Sequence, residues 1–215
     1  MTQKHQTRLF DYWRSSASYR LRIALNLAGI AYETVPVDLV AGEQRSPAHL
    51  ERNPQGLVPV LEIDGQRFIQ SLAILDYLNE TRDLRLLPQD AGLRSQARAL
   101  AHSIAVDLHP VCNLRVVAYA AANAASDTMR EDWMAHFIAP GLEAFEALLS
   151  GFSPTEFCTG DSPGLADICL MPQLYNAERW NVPTAHLPRV TAVQAACAAH
   201  PAFARAHPDQ VKPAP

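Results

Sequence analysis

The chain has 215 residues, 48% hydrophobic and 19% charged, with a net charge of −4: a globular make-up with room for one large core or two small ones. The acidic balance, without a basic run, argues against nucleic-acid or acidic-membrane binding, and no apolar stretch is long enough to span a bilayer. The opening MTQKHQTRLF lacks the apolar centre of a signal peptide, and Cys112, Cys158, Cys169 and Cys197 form no C-x-x-C and no metal-site spacing, so a cytoplasmic protein without a metal is expected.

Leu9, Phe10, Tyr12 and Trp13 read as a short buried strand. It leads into residues 14–29, RSSASYRLRIALNLAG, a polar run that passes into a helix over 18–29. Leu21, Ala24, Leu25 and Ala28 fall at i, i+3, i+4 and i+7, and Gly29 is a natural stop. At such a strand-to-helix junction the free N–H groups and the positive end of the helix dipole would stabilise an anion or a thiolate. The simpler alternative is that Ser15 or Ser16 only caps the helix. Tyr32, Val35 and Val37 mark a second strand, and residues 48–52 a short helix. Residues 60–63 and 67–69 flank Asp64-Gly65, a strong hairpin signal. Ser71 then caps a helix with Ile74, Leu75 and Leu78 on its apolar face. The order is β-α-β-α-β-β-α, and Pro59, at the mouth of the third strand, suits a cis bond.

Residues 82–92, RDLRLLPQDAG, read as a linker, and beyond them no strand is apparent. Ala97, Leu100, Ala101, Ile104, Ala105 and Leu108 hold helical spacing toward Pro110, which should kink that helix. Further helices are expected over about 127–149, with a kink at Pro140, over 165–180 and over 189–200, followed by a loose tail, VKPAP. The division is therefore a domain over 1–82, a linker over 83–92 and an all-helical domain over 93–215.

The order of elements, Leu57-Val58-Pro59 and Gln70-Ser71 resemble the cytosolic glutathione transferases. More narrowly, SSASYRLRIAL (15–25) resembles the SSCSWRVRIAL signature of the zeta class, the maleylacetoacetate and maleylpyruvate isomerases. The likeness continues through NPQGLVPVLEIDG, QSLAILDYLNE, HPVCNLRV (109–116) and MPQLYNAERWNV (171–182), and so covers nearly the whole chain. It implies an α/β thioredoxin-like N-terminal domain, an all-α C-terminal domain and a homodimer. Glutathione is the implied cofactor, bound mainly by the N-terminal domain, and a small dicarboxylate the implied substrate. The implied activity is glutathione-dependent cis–trans isomerisation of a maleyl keto acid to its fumaryl isomer in aromatic or tyrosine catabolism. The alternatives are a transferase acting on small α-halo acids and a non-catalytic glutathione-transferase-fold binding protein.

Carried over position by position, Ser15 is the hydroxyl that stabilises the glutathione thiolate, with Ser16 and Ala17 beside it. Val58 pairs its backbone with the cysteinyl part of glutathione, aided by Pro59. Gln70 and Ser71 hold the γ-glutamyl end, and Gln44, His109 and Asn113 match further contact positions. His109 and Asn113, one helical turn apart, share a face. Arg14, Arg115 and Arg179 match arginines that a bacterial maleylpyruvate isomerase uses for substrate carboxylates, a task suited to the planar guanidinium fork. Arg14 thus joins Ser15 as a catalytic candidate, whereas Arg20 and Arg22 read as structural. Each assignment has a plainer counterpart: Ser71 as a cap, Gln70 as a surface residue, His109 and Asn113 as partners for carbonyls freed by Pro110, and Arg179 as a complement to its helix dipole.

Two positions depart from the family pattern. Ala17 stands where zeta members have Cys or Thr, which excludes a cysteine nucleophile there and leaves only the backbone N–H. Gly164 replaces the usual Ser or Thr three residues before Asp167. That removes half of a capping box, at a cost of roughly a few tenths of a kcal/mol.

Overall fold

The structure, a computed structural model, describes residues 6–213; the start of the expected first domain and the last two residues of the VKPAP tail lie outside it. The backbone divides into two compact units. One runs to Leu84 and resumes at His200; the other is Arg85–Ala199.

The first unit contains β1 (Arg8–Asp11), α1 (Ser16–Leu27), β2 (Glu33–Pro36), a 3-10 turn (Glu43–Arg45), α2 (Pro47–Arg52), β3 (Val60–Ile63), β4 (Gln66–Ile69) and α3 (Ser71–Arg82). Its sheet order is β2-β1-β3-β4, with β1 and β2 parallel and the other pairs antiparallel, a thioredoxin-like arrangement. Strand side chains alternate between faces. Phe10 and Val60, with Val37, make a cluster on one face, and the Arg52 guanidinium of α2 lies 4.6 Å from the Phe10 ring. Leu9 and its partner Leu61 are fully buried on the other. α1 packs on α3, burying Leu21, Leu25, Ile74, Leu75 and Leu78 completely.

β1 is shorter than expected. It ends at Asp11, and Tyr12–Ser15 form a turn closed by the Ser15 N–H on the Tyr12 carbonyl at 2.8 Å. α1 begins two residues before the predicted start. Gly29 (φ +63°) ends it as predicted, with Ile30 and Gly29 donating to the carbonyls of Leu25 and Asn26, the paired bonds of a Schellman ending. Ser71 does not cap α3. It is the helix's first residue, and the cap position belongs to Gln70 at φ +68°.

The second unit contains α4 (Ala91–His102), a π-helical segment (Ser103–Leu108), α5 (His109–Val111), α6 (Leu114–Ala122), α7 (Met129–Leu149), α8 (Leu165–Arg179) and α9 (Pro188–Ala199). Apart from one bridge, Phe157 to Gly160, it has no strand among the described residues. The disturbance expected at Pro110 takes the form of a widened turn just before it, with the His109 N–H on the Ile104 carbonyl. An i→i+5 ladder is one way for a helix to absorb a residue with no N–H and a crowding ring. α6 is absent from the sequence reading; its run LRVVAYAAA buries only Val117. Pro140 and Pro172 lie inside α7 and α8, which continue through them. At Gly141 a Cβ would stand 2.7 Å from Leu108, so glycine permits α7 to approach the π-helical segment.

The half capping box has a substitute. Gly164 donates its N–H to Asp167 at 2.8 Å, and the next amide, Leu165, donates to the Leu86 carbonyl at 2.8 Å. A Cβ at 164 would come within 3.1 Å of that carbonyl, so glycine permits its close approach to the start of α8.

The expected helical domain ran to the end of the chain, but from His200 the backbone belongs to the first unit. There α10 (Pro201–Ala206) packs on α1, and α11 (Pro208–Val211) follows. Lys212, in the tail expected to be loose, lies over the Trp13 ring at 5.3 Å. Arg22 of α1 ties these parts together. Its side chain is 0% exposed and meets both carboxylate oxygens of buried Asp11 (2.9 and 2.7 Å), the Trp13 carbonyl (2.9 Å) and the Ala206 carbonyl (3.0 Å). Arg22→Met keeps the packing stem and strands the Asp11 carboxylate in the interior. It should cost about 3–5 kcal/mol in urea unfolding, with part recovered in Arg22→Met/Asp11→Asn.

Candidate functional site

Strand register assembles one end of the sheet. Phe10 is opposite Val60 on β3, and Val60 is opposite Ile69 on β4. The segments that continue from those residues, 12–15, 58–59 and 70–71, therefore leave from the same sheet end. β2 runs parallel to β1 and leaves there too, toward the 3-10 turn that carries Gln44.

On the first segment, the Ser15 side chain accepts from the Ser18 N–H at 3.2 Å, so it does cap α1. This is compatible with a second role. A hydroxyl has two lone pairs and one hydrogen, and capping uses only a lone pair, so the O–H is left to donate. The amides of Ser16 and Ala17, first in the helix, have no acceptor among the described residues. One hydroxyl and two amides thus stand at the positive end of the α1 dipole. Arg14 is pinned by its neighbours: Nη2 donates to the Tyr12 hydroxyl at 3.0 Å, and the guanidinium lies 5.0 Å from the Trp13 ring centre.

The second segment carries a cis Val58-Pro59 bond. The Leu57 carbonyl before it accepts from Asn53 Nδ2 at 2.9 Å and lies 3.0 Å from His49 Nε2, both residues being buried. Neither was singled out from the sequence; the only signal was their position beside the Asn-Pro-Gln-Gly turn. At the third segment, Gln70 Nε2 donates to Gln55 Oε1 at 2.7 Å, and Ser71 Oγ accepts from Arg20 at 3.1 Å. Gln44 turns its amide to the Leu39 carbonyl at 3.4 Å.

In the second unit His109 and Asn113 are not on one helical face, contrary to the sequence reading. α5 ends at Val111, and Asn113 is extended (φ −68°, ψ 142°) as the cap of α6, its side-chain oxygen accepting from the Arg115 N–H at 3.1 Å. The Arg115 guanidinium is exposed in the first turn of α6. Arg179, also exposed, ends α8, its guanidinium 6.0 Å from the Trp180 ring. Among the described residues no cluster of His, Cys, Asp or Glu could hold a metal ion, and no helix is long and apolar enough to cross a membrane.

A sequence profile of the glutathione S-transferase N-terminal domain matches residues 5–80. A maleylacetoacetate isomerase of Rhizobium meliloti (strain 1021) is 56% identical over 97% of this chain and 99% of its own. The holo structure of a maleylpyruvate isomerase, a bacterial zeta-class glutathione S-transferase, superposes with a TM-score of 0.92. It is 40% identical and covers 97% of this chain and 100% of its own. The chain belongs to the zeta class of glutathione transferases. A maleylacetoacetate isomerase of Methylobacterium extorquens AM1, solved with malonate and glutathione bound, is 42% identical with a TM-score of 0.90, covering 97% of this chain and 99% of that one.

Within this zeta-class chain the thiols are held away from solvent. All four cysteines are buried. Burial pushes the Cys112 thiol up to about 12 and raises Cys158 and Cys197, with the Asp167 carboxylate adding to the rise in the latter two. Because the thiolate is the reacting form, native protein at mildly alkaline pH should take up almost no iodoacetamide, whereas urea-unfolded protein should be alkylated at all four cysteines; mass spectrometry reads the difference. The same shifts make folding oppose ionisation. Their contribution to stability is complete below the ordinary thiol pKa and is lost as pH rises toward the folded values.

Proposed function

We propose that this zeta-class glutathione transferase is a glutathione-dependent cis–trans isomerase, converting maleylacetoacetate or maleylpyruvate to the fumaryl isomer. The observation that carries the reading is the α1 N-terminus, where a free hydroxyl hydrogen and two unspent amides suit a thiolate, in a chain whose own cysteines are all buried. The relatives support it: those at 56% identity and at 0.92 TM-score are isomerases of these two kinds. Glutathione bound here would supply the thiolate nucleophile for reversible addition to the substrate's carbon–carbon double bond, the chemistry that makes cis–trans rotation possible.

In this reading the chain's residues lower the thiol pKa, orient the substrate and stabilise negative charge. Ser15 donates its O–H to the sulfur, and the amides of Ser16 and Ala17 add the helix-end potential. Ala17 offers no side-chain donor, so the amide acts alone at that position. Val58 pairs its backbone with the cysteinyl part beside cis-Pro59, in the manner of an added edge strand. Ser71 and Gln70 meet the γ-glutamyl end at the start of α3, where a carboxylate is favoured. Gln44, His109 and Asn113 are assigned to further glutathione contacts; Asn113 has its Nδ2 for this, since only its oxygen caps α6. Arg14, Arg115 and Arg179 are assigned to the substrate carboxylates, as planar forks that orient as well as attract. The Arg14 fork is already held by Tyr12 and Trp13, which reduces the entropy lost on binding. A cytoplasmic homodimer completes the proposal.

The test is to mix purified protein with maleylpyruvate and with maleylacetoacetate, with and without glutathione, and to follow loss of the cis compound. Glutathione-dependent loss of one or both is expected; no such loss of either would sink the proposal, and turnover of α-halo acids instead would favour the transferase. Ser15→Ala should lower kcat by roughly 10²-fold while changing glutathione affinity far less. Arg179→Ala should act mainly on the KM for the dicarboxylate.

A further inference from the structure

Arg20 lies on α1, five residues past Ser15, and is 2% exposed. Its Nη1 donates to Ser71 Oγ, 3.1 Å away on the first residue of α3. A buried guanidinium therefore stands behind the hydroxyl that the functional reading assigns to the γ-glutamyl carboxylate. Ser71 itself is 7% exposed.

This bond has a directional consequence. The serine oxygen accepts from Arg20, so one lone pair is engaged and the hydroxyl hydrogen has to point elsewhere. Donation from a cation also polarises the hydroxyl and makes it a stronger donor in turn. The first turn of α3 adds the positive end of its own dipole. A brace between two helices would need only the contact; a cationic donor adds charge and direction to it.

We propose that Arg20 is a positioning residue for the carboxylate end of glutathione, acting through Ser71 to present its O–H to the γ-glutamyl carboxylate. The proposal rests on the glutathione reading above, and it distinguishes Arg20 from Arg22, whose partners are a carboxylate and backbone carbonyls within the fold.

Calorimetric titration of the full chain with glutathione, and with an analogue whose γ-glutamyl α-carboxylate is a primary amide, tests it. Arg20→Gln should weaken glutathione binding about tenfold, the size of one hydrogen bond strengthened by charge, and binding of the amide less than about twofold. In turnover the change should fall on the KM for glutathione rather than on kcat. Arg20→Lys should recover part of the loss, and in a Ser71→Ala background Arg20→Gln should cost little more, because the route through the hydroxyl is already gone. Equal weakening toward both ligands, or an undiminished loss in the Ser71→Ala background, would overturn the proposal and leave Arg20 a brace. Should Arg20→Gln fail to fold, Arg20→Lys decides by the same criterion: a selective loss for glutathione over the amide supports the proposal, and an equal loss overturns it. A parent protein that binds no glutathione overturns the functional reading and this inference together; a parent that binds it, with unselective losses, overturns this inference alone.

Discussion

The buried pair of Arg22 and Asp11 ties three parts of the first unit to one point. Taking a guanidinium and a carboxylate out of water costs several kcal/mol per ion, and Coulomb attraction repays this only when the remaining donors are also met. Here they are met by backbone: the Trp13 carbonyl, one residue before Arg14, and the Ala206 carbonyl in α10. The pair thus holds the end of β1, the turn leading to Ser15 and the returning C-terminal segment around one point. Breaking it would leave an uncompensated charge beneath the turn on which the candidate catalytic hydroxyl sits. An arginine in an apolar helix face is an odd choice for stability alone; its specificity comes from the several acceptors it demands.

Polar groups in this fold repeatedly fill a structural role and keep hydrogen-bonding capacity to spare. Ser15 caps α1 through a lone pair and keeps its hydrogen. Asn113 caps α6 through its oxygen and keeps its Nδ2 hydrogens. Ser71 accepts from Arg20 and keeps its hydrogen. A hydroxyl or an amide has separate donor and acceptor capacity, so a capping role does not exclude binding a ligand. The arrangement suits a tripeptide with two carboxylates, which asks for helix N-termini and neutral donors more than for a concentration of positive charge. It also suits a chain carrying a net charge of −4.

Most of the architecture was legible where the pattern was local. The hairpin at Asp64-Gly65, the stop at Gly29 and the β-α-β-α-β-β-α order rest on turn chemistry and periodicity, which act over a few residues, and they stand as read. Where tertiary contacts outweighed local preference, the reading missed. Tyr12 and Trp13 look like strand residues, yet the chain must turn there for Ser15 to begin a helix. α6 is apolar almost all round yet buries only Val117. The turn before Pro110 widened instead of merely bending, and α5 then ends at Val111 with Asn113 extended, which separates His109 from Asn113. The start of α3 looks like a capping serine, but the cap is Gln70 in a left-handed conformation, with Ser71 committed to Arg20 from 51 residues away.

By itself the sequence determined the class of each domain and the family, because these depend on composition, period and motif. It did not reveal that Arg20 and Arg22, two positions apart on one helix, have different partners and different consequences. Both read as structural arginines, and an arginine carries no local mark of the acceptor it will find. Only the tertiary structure, by bringing Asp11, Trp13 and Ala206 to one guanidinium and Ser71 to the other, separated them.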